Sequence, residues 1–365
     1  MNPYADMPDF AFWRRAVGAL SPEDVDPVVD APFRISKTDR VATAGSCFAQ
    51  HISRTLVAEG FRYLVTEPRP LTADAAEEGF GVFPARFANI YTVRQLLQLF
   101  QRAYGLYDPE NPAWRRPDGV WLDPFRPRIQ ASGFASAQGV ERDRDAHLGA
   151  VRAMFEQCDV FVFTLGLTEA WVSLQTGAIV PLAPGVVSGD ADDADYGFCN
   201  FDVAEMTADM LAFIDNLRRI NPDVRLVLTV SPVPLIATYE RRHVLVSTTL
   251  SKAALRVVAD AVSRARPDVA YFPSYEIITG PQSGGRFYEA DLREIRPEGV
   301  AHVMGIFRRH FLADAAVDAP RAKRAEHSRP SGAGDLLRQR MAHLEAIVCD
   351  EEALDAPHAA KALSL

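Results

Sequence analysis

The strongest constraint on the fold is a set of short, uninterrupted apolar runs rich in β-branched and aromatic residues. They lie at 159–165, 225–230 and 269–272, and a shorter run at 41–44 precedes them. Runs without polar alternation are typical of strands that are buried on both faces of a parallel sheet. Apolar residues recur at helical spacing over 48–56, 91–102, 144–156, 204–219, 248–264 and 297–311. This alternation predicts an α/β fold of three layers, with a mostly parallel sheet between helices on both faces.

These patterns divide the chain into a lead-in, one domain and a tail. Residues 1–32 contain several prolines and little regular pattern, and we interpret them as a lead-in. The strands and helices fall within 33–314, which we expect to form a single domain with a loop-rich insertion over 105–140. The composition then shifts to Ala, Arg, Pro, Ser and Gly, which predicts a flexible tail over 315–365. One candidate helix at 336–348 is the segment of the tail that we expect to bind another protein.

Composition argues against several classes of function. The chain of 365 residues has a formal net charge of −9 and no basic cluster with interleaved aromatics, which argues against a nucleic-acid surface. No apolar run is long enough to span a bilayer, and the N-terminus lacks the apolar stretch of a secretory signal. The four cysteines are scattered without metal-ligand spacing, and no dinucleotide, Walker or HExxH motif occurs, so we expect no cofactor. Free thiols predict a cytoplasmic protein.

The first predicted strand ends in a turn that carries two nucleophilic side chains. Residues 41–49 read VATAGSCFA, and a helical pattern follows at once. A strand that passes into a helix over Gly45 places Ser46 and Cys47 at the carboxyl end of the sheet, beside the unpaired N–H groups of the helix N-terminus. Enzymes use this geometry to expose a serine or thiol and to hold the oxyanion that forms after its attack. The alternative is an ordinary glycine turn in which Ser46 caps the helix.

Polar, turn-forming clusters follow all four predicted strands. They are GSC at 45–47, GLTE at 166–169, SPVP at 231–234 and PSYE at 273–276. Parallel sheets bind ligands beyond the carboxyl ends of their strands, where these four clusters meet. The sequence therefore predicts one shared site at that edge of the sheet.

The chain resembles the GSCFA family, and the resemblance depends on several ordered motifs. These are GSCFA at 45–49, ANIYT at 88–92, TLGLTEAW at 164–171, TVSPV at 229–233, SK at 251–252 and YFPSYE at 271–276. The resemblance covers about 33–311 and extends to the wider group of SGNH/GDSL hydrolases. It implies an SGNH-hydrolase-like fold and an activity on esters, with acylated glycans as the substrate class that such enzymes suggest.

The resemblance implies that Ser46 is the nucleophile, because SGNH enzymes attack esters with a serine in the first turn after the first strand. Cys47 remains the rival, since an alignment shifted by one position places the thiol there. A thiolate at a helix N-terminus is reactive. Small residues at matching places in the following helix favour Ser46.

The resemblance also implies an oxyanion hole. The third motif of SGNH enzymes contributes a Gly and an Asn, and at that place this chain has Gly166, which would donate its N–H, and Thr168, which would donate a hydroxyl. Glu169 either orients a neighbour or is a satisfied buried acid. Gly45 and Asn89 complete the expected substrate-binding set. Asn89 either donates its amide to the oxyanion hole or caps the next helix.

The last motif departs from the family pattern. Related sequences end with Asp-x-x-His, in which the His is the general base and the Asp its orienting partner. Here Asp291 is present and Glu294 replaces the His. Glu294 is a weaker base unless burial raises its pKa, so His243 and His302 are the candidate replacements.

Two classes of function remain open at this point. The first is a serine-dependent ester hydrolase or O-acyltransferase that acts on an acylated glycan or a similar small ester. The second is a non-catalytic binding protein on a hydrolase scaffold that has lost its base. Glu294 favours the second class and the Ser46 turn favours the first.

Overall fold

The computed structural model describes residues 2–68, 79–110, 112–188 and 193–313, together with Leu354. The strands are β1 Val41–Gly45, β2 Trp114–Arg115, β3 Trp121–Leu122, β4 Val160–Leu165, β5 Glu169–Ser173, β6 Ile179–Val180, β7 Tyr196–Asn200, β8 Arg225–Val230 and β9 Val269–Phe272. The helices are α1 Ala49–Ala58, α2 Val93–Ala103, α3 Ala137–Gln157, α4 Pro184–Val187, α5 Val203–Ile220, α6 Val244–Ala265, α7 Ser274–Thr279 and α8 Pro297–Phe311. The predicted tail helix at 336–348 lies outside the described residues.

The centre of the fold is a four-stranded parallel sheet in the order β1-β4-β8-β9. Gly45 pairs with Thr164, Thr164 with Thr229, and Thr229 with Phe272, so the carboxyl ends of the four strands are in register. The predicted α/β fold with a parallel sheet is confirmed. The register brings all four polar clusters to one edge, as a parallel arrangement requires.

Two hydrophobic clusters pack on the two faces of this sheet. One contains Phe161 and Phe163 of β4 with side chains of α2, α3, α5 and α6, among them Phe213. The other contains Val160 and Val162 of β4 with side chains of α1, α7 and α8. Alternate residues of β4 thus face opposite clusters, because successive side chains of a strand point to opposite faces. Both faces are covered, which explains the uninterrupted apolar runs.

Side-chain caps mark where α2, α3 and α6 begin. Thr92 accepts a hydrogen bond from the N–H of Gln95 at the start of α2, and Ser136 accepts from Gly139 at the start of α3. α3 therefore begins at Ala137, seven residues before its predicted start. The stretch before 144 has few apolar residues and so shows no helical periodicity, but the Ser136 cap starts the helix there. α6 likewise begins at Val244 instead of 248.

Two small antiparallel sheets were not predicted from the sequence. β2 pairs with β3 inside the insertion, and β5 pairs with both β6 and β7. These strands have between two and five residues, too few to establish an alternating pattern. Among the described residues, no helix is long and apolar enough to cross a membrane.

Candidate functional site

The Ser46 turn depends on a glycine in an unusual conformation. Gly45 has φ of 132°, and a Cβ atom there would lie 2.3 Å from the carbonyl oxygen of Thr164. The close approach of β1 and β4 therefore excludes any side chain at this position. Ser46 follows at once, and its N–H donates to the carbonyl oxygen of Thr164 over 3.2 Å.

The hydroxyl of Ser46 is buried and has no hydrogen-bond partner among the described residues. The residue is 4% exposed, so the expected presentation of the nucleophile to solvent is not seen. Two nearby polar atoms share this state: Thr164 Oγ1 in the paired strand and Gln50 Nε2 in the first turn of α1. A buried polar atom without a partner costs about 1–3 kcal/mol, and such atoms concentrate where a ligand or reaction supplies the missing contact.

Cys47 is a half-buried free thiol next to the hydroxyl. The N–H groups of Cys47 and Phe48 have no acceptor in the part of the chain that the structure describes. They precede α1, whose first bonds run from Ala49 to the Ser46 carbonyl and from Gln50 to the Cys47 carbonyl. Open amides at a helix N-terminus are suited to hold a negative oxygen. The sequence pattern predicted unpaired N–H groups at this helix N-terminus, but it did not assign them to Cys47 and Phe48.

Gly166 lies directly against Ser46. A Cβ atom on Gly166 would lie 3.1 Å from Ser46 Cβ and 3.3 Å from the carbonyl oxygen of Tyr91, so glycine allows this contact. The N–H groups of Gly166 and Leu167 both donate to that carbonyl, at 3.1 and 3.0 Å. The N–H predicted to enter the oxyanion hole is therefore occupied in this arrangement.

Asn89 reaches the Ser46 turn from another segment. The N–H of Ile90 donates to the carbonyl oxygen of Gly45 over 2.9 Å, and Ala88 before it has φ of 59°, in the left-handed region. Asn89 is buried, and its carbonyl accepts from Gln95 Nε2. The cap of α2 is Thr92, so the alternative role of Asn89 as that cap is wrong. A strained residue next to a buried amide is typical of a functional segment.

Thr168 and Glu169 connect the β4 exit to the region before and within α6. Thr168 Oγ1 donates to Ser251 Oγ over 3.2 Å. Glu169 accepts from Thr238 Oγ1 at 2.7 Å and from the N–H of Tyr239 at 3.3 Å. Both side chains thus have partners that orient neighbouring segments, which agrees with the reading of Glu169 as a satisfied acid.

Neither histidine that was expected to act as base contacts Ser46 or Cys47. His243 is exposed and caps α6, with Nδ1 accepting from the N–H of Leu245 over 3.1 Å. His302 is half-buried and stacks on Phe287 with ring centroids 5.2 Å apart. Burial lowers the pKa of His302. Both imidazoles thus have a structural role, one as a helix cap and the other in aromatic packing.

Asp291 and Glu294 belong to one exposed turn. Asp291 Oδ1 accepts from the N–H groups of Arg293 and Glu294, at 3.0 and 3.1 Å. Leu292 between them has φ of 56°, and the N–H of Glu289 donates to the carbonyl of Glu294. An Asp that bonds the N–H groups following it stabilises such a turn. The Asp-x-x-Glu segment has a structural explanation here, and its carboxylates form no contact with Ser46 in the described residues.

One residue at the site that the sequence prediction did not assign is Lys252 in α6. It is 2% exposed, and its Nζ donates to the carbonyl oxygen of Gly166 over 2.7 Å. The motif SK at 251–252 was the available signal, but the sequence did not show which edge of the sheet it faces. Within the described ranges, no group of three or more His, Cys, Asp or Glu is arranged to hold a metal ion.

The comparison with protein families agrees with the motifs of this site. The sequence profile of the GSCFA family matches residues 40–307, which include the Ser46 turn, the β4 exit and Lys252. No curated protein sequence matches the chain.

Proposed function

The chain belongs to the GSCFA family, and we propose that it is a serine-dependent acyl-transfer enzyme, either an ester hydrolase or an O-acyltransferase. The observation that supports this most strongly is the Ser46 hydroxyl. It lies at the carboxyl edge of a parallel sheet, before the N-terminus of α1, and no described residue satisfies it. Ser46 Oγ attacks the ester carbonyl, and the N–H groups of Cys47 and Phe48 receive the negative oxygen.

An acyl-enzyme follows from this attack. The Ser46 oxygen bonds the acyl carbon, the alcohol leaves with the serine proton, and water or a sugar hydroxyl then releases the acyl group. Whether water or an alcohol is the acceptor depends on how far the closed site excludes water. Ser46 is buried against Gly166, so substrate entry requires a rearrangement around this turn. An acylated glycan or similar small ester is the proposed substrate.

We also propose that the protein is located in the reducing cytoplasm. Cys47, Cys158 and Cys199 are all free thiols. Free thiols are typical of reducing compartments.

The second candidate is a non-catalytic binding protein on the same scaffold. The positions of His243 and His302, both outside contact with Ser46, favour it. In this case the orphaned hydroxyl would bond a ligand without attacking it.

Reaction with a fluorophosphonate probe separates the two functions. The wild type, Ser46→Ala and Cys47→Ala would be labelled and the modified residue located by mass spectrometry. The enzyme predicts labelling that only Ser46→Ala abolishes. Labelling that only Cys47→Ala abolishes would assign the thiol as nucleophile. No labelling, or labelling insensitive to both changes, would reject the serine mechanism and leave the binding protein.

A further inference from the structure

Lys252 is a buried amine beside the Ser46 turn. It lies in the third turn of α6, and it is 2% exposed. Its Nζ donates to the carbonyl oxygen of Gly166 over 2.7 Å, although 86 residues separate the two in sequence. The preceding residue, Ser251, accepts from Thr168 Oγ1. α6 is therefore attached to the β4 exit through two adjacent side chains.

Ser46 and Lys252 approach the same residue from different sides. Ser46 Cβ would be 3.1 Å from a Cβ on Gly166, and Lys252 Nζ is 2.7 Å from the Gly166 carbonyl oxygen. The Cα and carbonyl oxygen of one residue are roughly 2.4 Å apart by covalent geometry. The Ser46 side chain and the Lys252 amine thus both contact Gly166, and the proton transfer proposed below would run through a bridging water or a movement of the two side chains.

The composition of the chain makes this lysine informative. Lysine occurs four times among 39 Lys and Arg residues, at Lys37, Lys252, Lys323 and Lys361. Among the described residues, the buried ion pairs use arginine, as at Arg86 and Arg126, or His147 with Glu67. Arginine cannot be deprotonated in proteins, whereas a lysine amine can accept a proton. Lys252 is thus a buried cationic side chain that can also act as a base.

We propose that Lys252 accepts the proton of Ser46 and so performs the role of general base that the histidine has in related enzymes. This inference rests on the proposed function. The neutral amine takes the Ser46 proton as Oγ bonds the ester carbon. The resulting ammonium returns that proton to the alcohol oxygen as the C–O bond breaks. In the second half, the amine takes a proton from the incoming water or alcohol and returns it to Ser46 as the acyl bond breaks.

The rate of fluorophosphonate labelling at Ser46, measured against pH, tests this role. Lys252→Gln keeps a donor for the Gly166 carbonyl, and Lys252→Arg keeps both the donor and the charge, but neither accepts a proton. Both variants are expected to react at least about 100-fold more slowly and to lose the pH dependence of the wild type. Ser251→Ala breaks the neighbouring contact without removing the amine and is expected to keep the wild-type rate and profile.

The outcomes distinguish this inference from the proposed function. A wild type that is not labelled at Ser46 removes the proposed function itself. A labelled wild type together with Lys252→Gln or Lys252→Arg at the wild-type rate overturns the role of Lys252 and leaves the serine mechanism in place.

A second measurement leaves Lys252 in place and does not require the Lys252 variants to fold. With four lysines in the chain, ¹³C labelling at lysine Cε gives a spectrum of four signals. Replacement of Lys37, Lys323 and Lys361 by Arg assigns the Lys252 signal by elimination. The midpoint of its titration is expected to coincide with the midpoint of the labelling rate. Different midpoints would overturn the proposal.

Discussion

The Ser46 turn and the arginine–carboxylate cluster around Asp123 both bury polar groups, but in opposite states. Asp123 has no solvent exposure and bonds Arg126 and Arg144, each at 2.8 Å. Arg126 also bonds Asp143, which bonds Arg86. Burial would raise the pKa of Asp123, but the charges of Arg126 and Arg144 outweigh it and hold that pKa below its ordinary value. We name these five residues the Asp123 cluster.

At the Ser46 turn the hydroxyl groups are neutral and unsatisfied. Ser46 Oγ and Thr164 Oγ1 have no partner among the described residues. The Asp123 cluster therefore stabilises the fold, whereas the Ser46 turn costs free energy that the proposed substrate contact would recover. In this molecule the buried charged cluster has a structural role. The candidate site is marked instead by a neutral hydroxyl, Ser46 Oγ, that has no hydrogen-bond partner among the described residues. Four substitutions test this difference.

Removing the carboxylate at the centre of the Asp123 cluster is expected to have the largest effect. Asp123→Ala leaves Arg126 and Arg144 as buried charges without their main partner and lowers the free energy of unfolding by about 3–5 kcal/mol. Urea unfolding measures this value. Asp9→Ala, which breaks the exposed pair with Arg15, is the control and costs at most about 1 kcal/mol. Equal losses in the two variants would contradict a structural role for the cluster.

Gly45→Ala is expected to show the next largest effect. A Cβ there meets the Thr164 carbonyl at 2.3 Å and forces an unfavourable φ, so the free energy of unfolding falls by about 3 kcal/mol. Gly60→Ala is the matched control, because its φ is also positive, at 75°, but the space around it is open. That variant loses about 1 kcal/mol from backbone strain. If the two losses were equal, the close approach of β1 and β4 would not be what requires glycine.

The third prediction concerns pH. Burial and the charge of Arg126 lower the pKa of His147 to about 4, although its Nδ1 lies 2.8 Å from Glu67. The unfolded chain protonates His147 below about pH 6.5, whereas the folded chain keeps the imidazole neutral down to about pH 4. The neutral His147 therefore does not reduce the free energy of unfolding above pH 6.5. Stability is lost as pH falls towards 4, by up to about 1.4 kcal/mol per pH unit. Urea unfolding between pH 7 and 4 measures the slope.

His147→Gln is expected to reduce that slope, since Gln does not bind a proton in the unfolded chain. His243→Gln removes an exposed imidazole and is the control. Burial also lowers the pKa of His51 to about 4, so part of the slope persists in both variants. An unchanged slope in His147→Gln would show that His147 is not buried in its neutral form.

Ser46→Ala is expected to have the smallest effect on stability. The hydroxyl that it removes has no partner among the described residues, so the free energy of unfolding changes by less than about 1 kcal/mol while labelling is lost. Ser53→Ala in α1, the helix that follows the turn, is the matched control. Its buried hydroxyl donates to the Gln50 carbonyl at 2.9 Å and contributes about 1 kcal/mol. A larger loss for Ser46→Ala than for Ser53→Ala would assign Ser46 a structural role.

Local pattern predicted the central sheet because its strands are buried on both faces. The runs at 159–165 and 225–230 correspond to β4 and β8 within one residue. The same logic placed Ser46 and Gly166 at one edge, since parallel strands end together. The short strands β2 and β6, of two residues each, were missed because two residues are too few to show an alternating pattern.

The choice of base shows what sequence order does not contain. Glu294, His243 and His302 were selected by motif and by position along the chain, yet each has a local structural contact. Local sequence indicates which residues carry a proton-transfer group. It does not indicate which of them a helix turns towards the sheet edge.

The amino-acid sequence by itself determined the layered α/β architecture, the glycine turn before α1 and the meeting of polar segments at one edge. Periodicity and steric limits act between near neighbours, so a linear pattern is enough to reveal them. Tertiary structure decided that Ser46 is shielded, that Gly166 N–H is occupied and that Lys252 reaches the turn. Burial and hydrogen bonding depend on contacts between residues far apart in sequence, such as Lys252 and Gly166, which are 86 residues apart. Such contacts exist once the sheet and helices have packed.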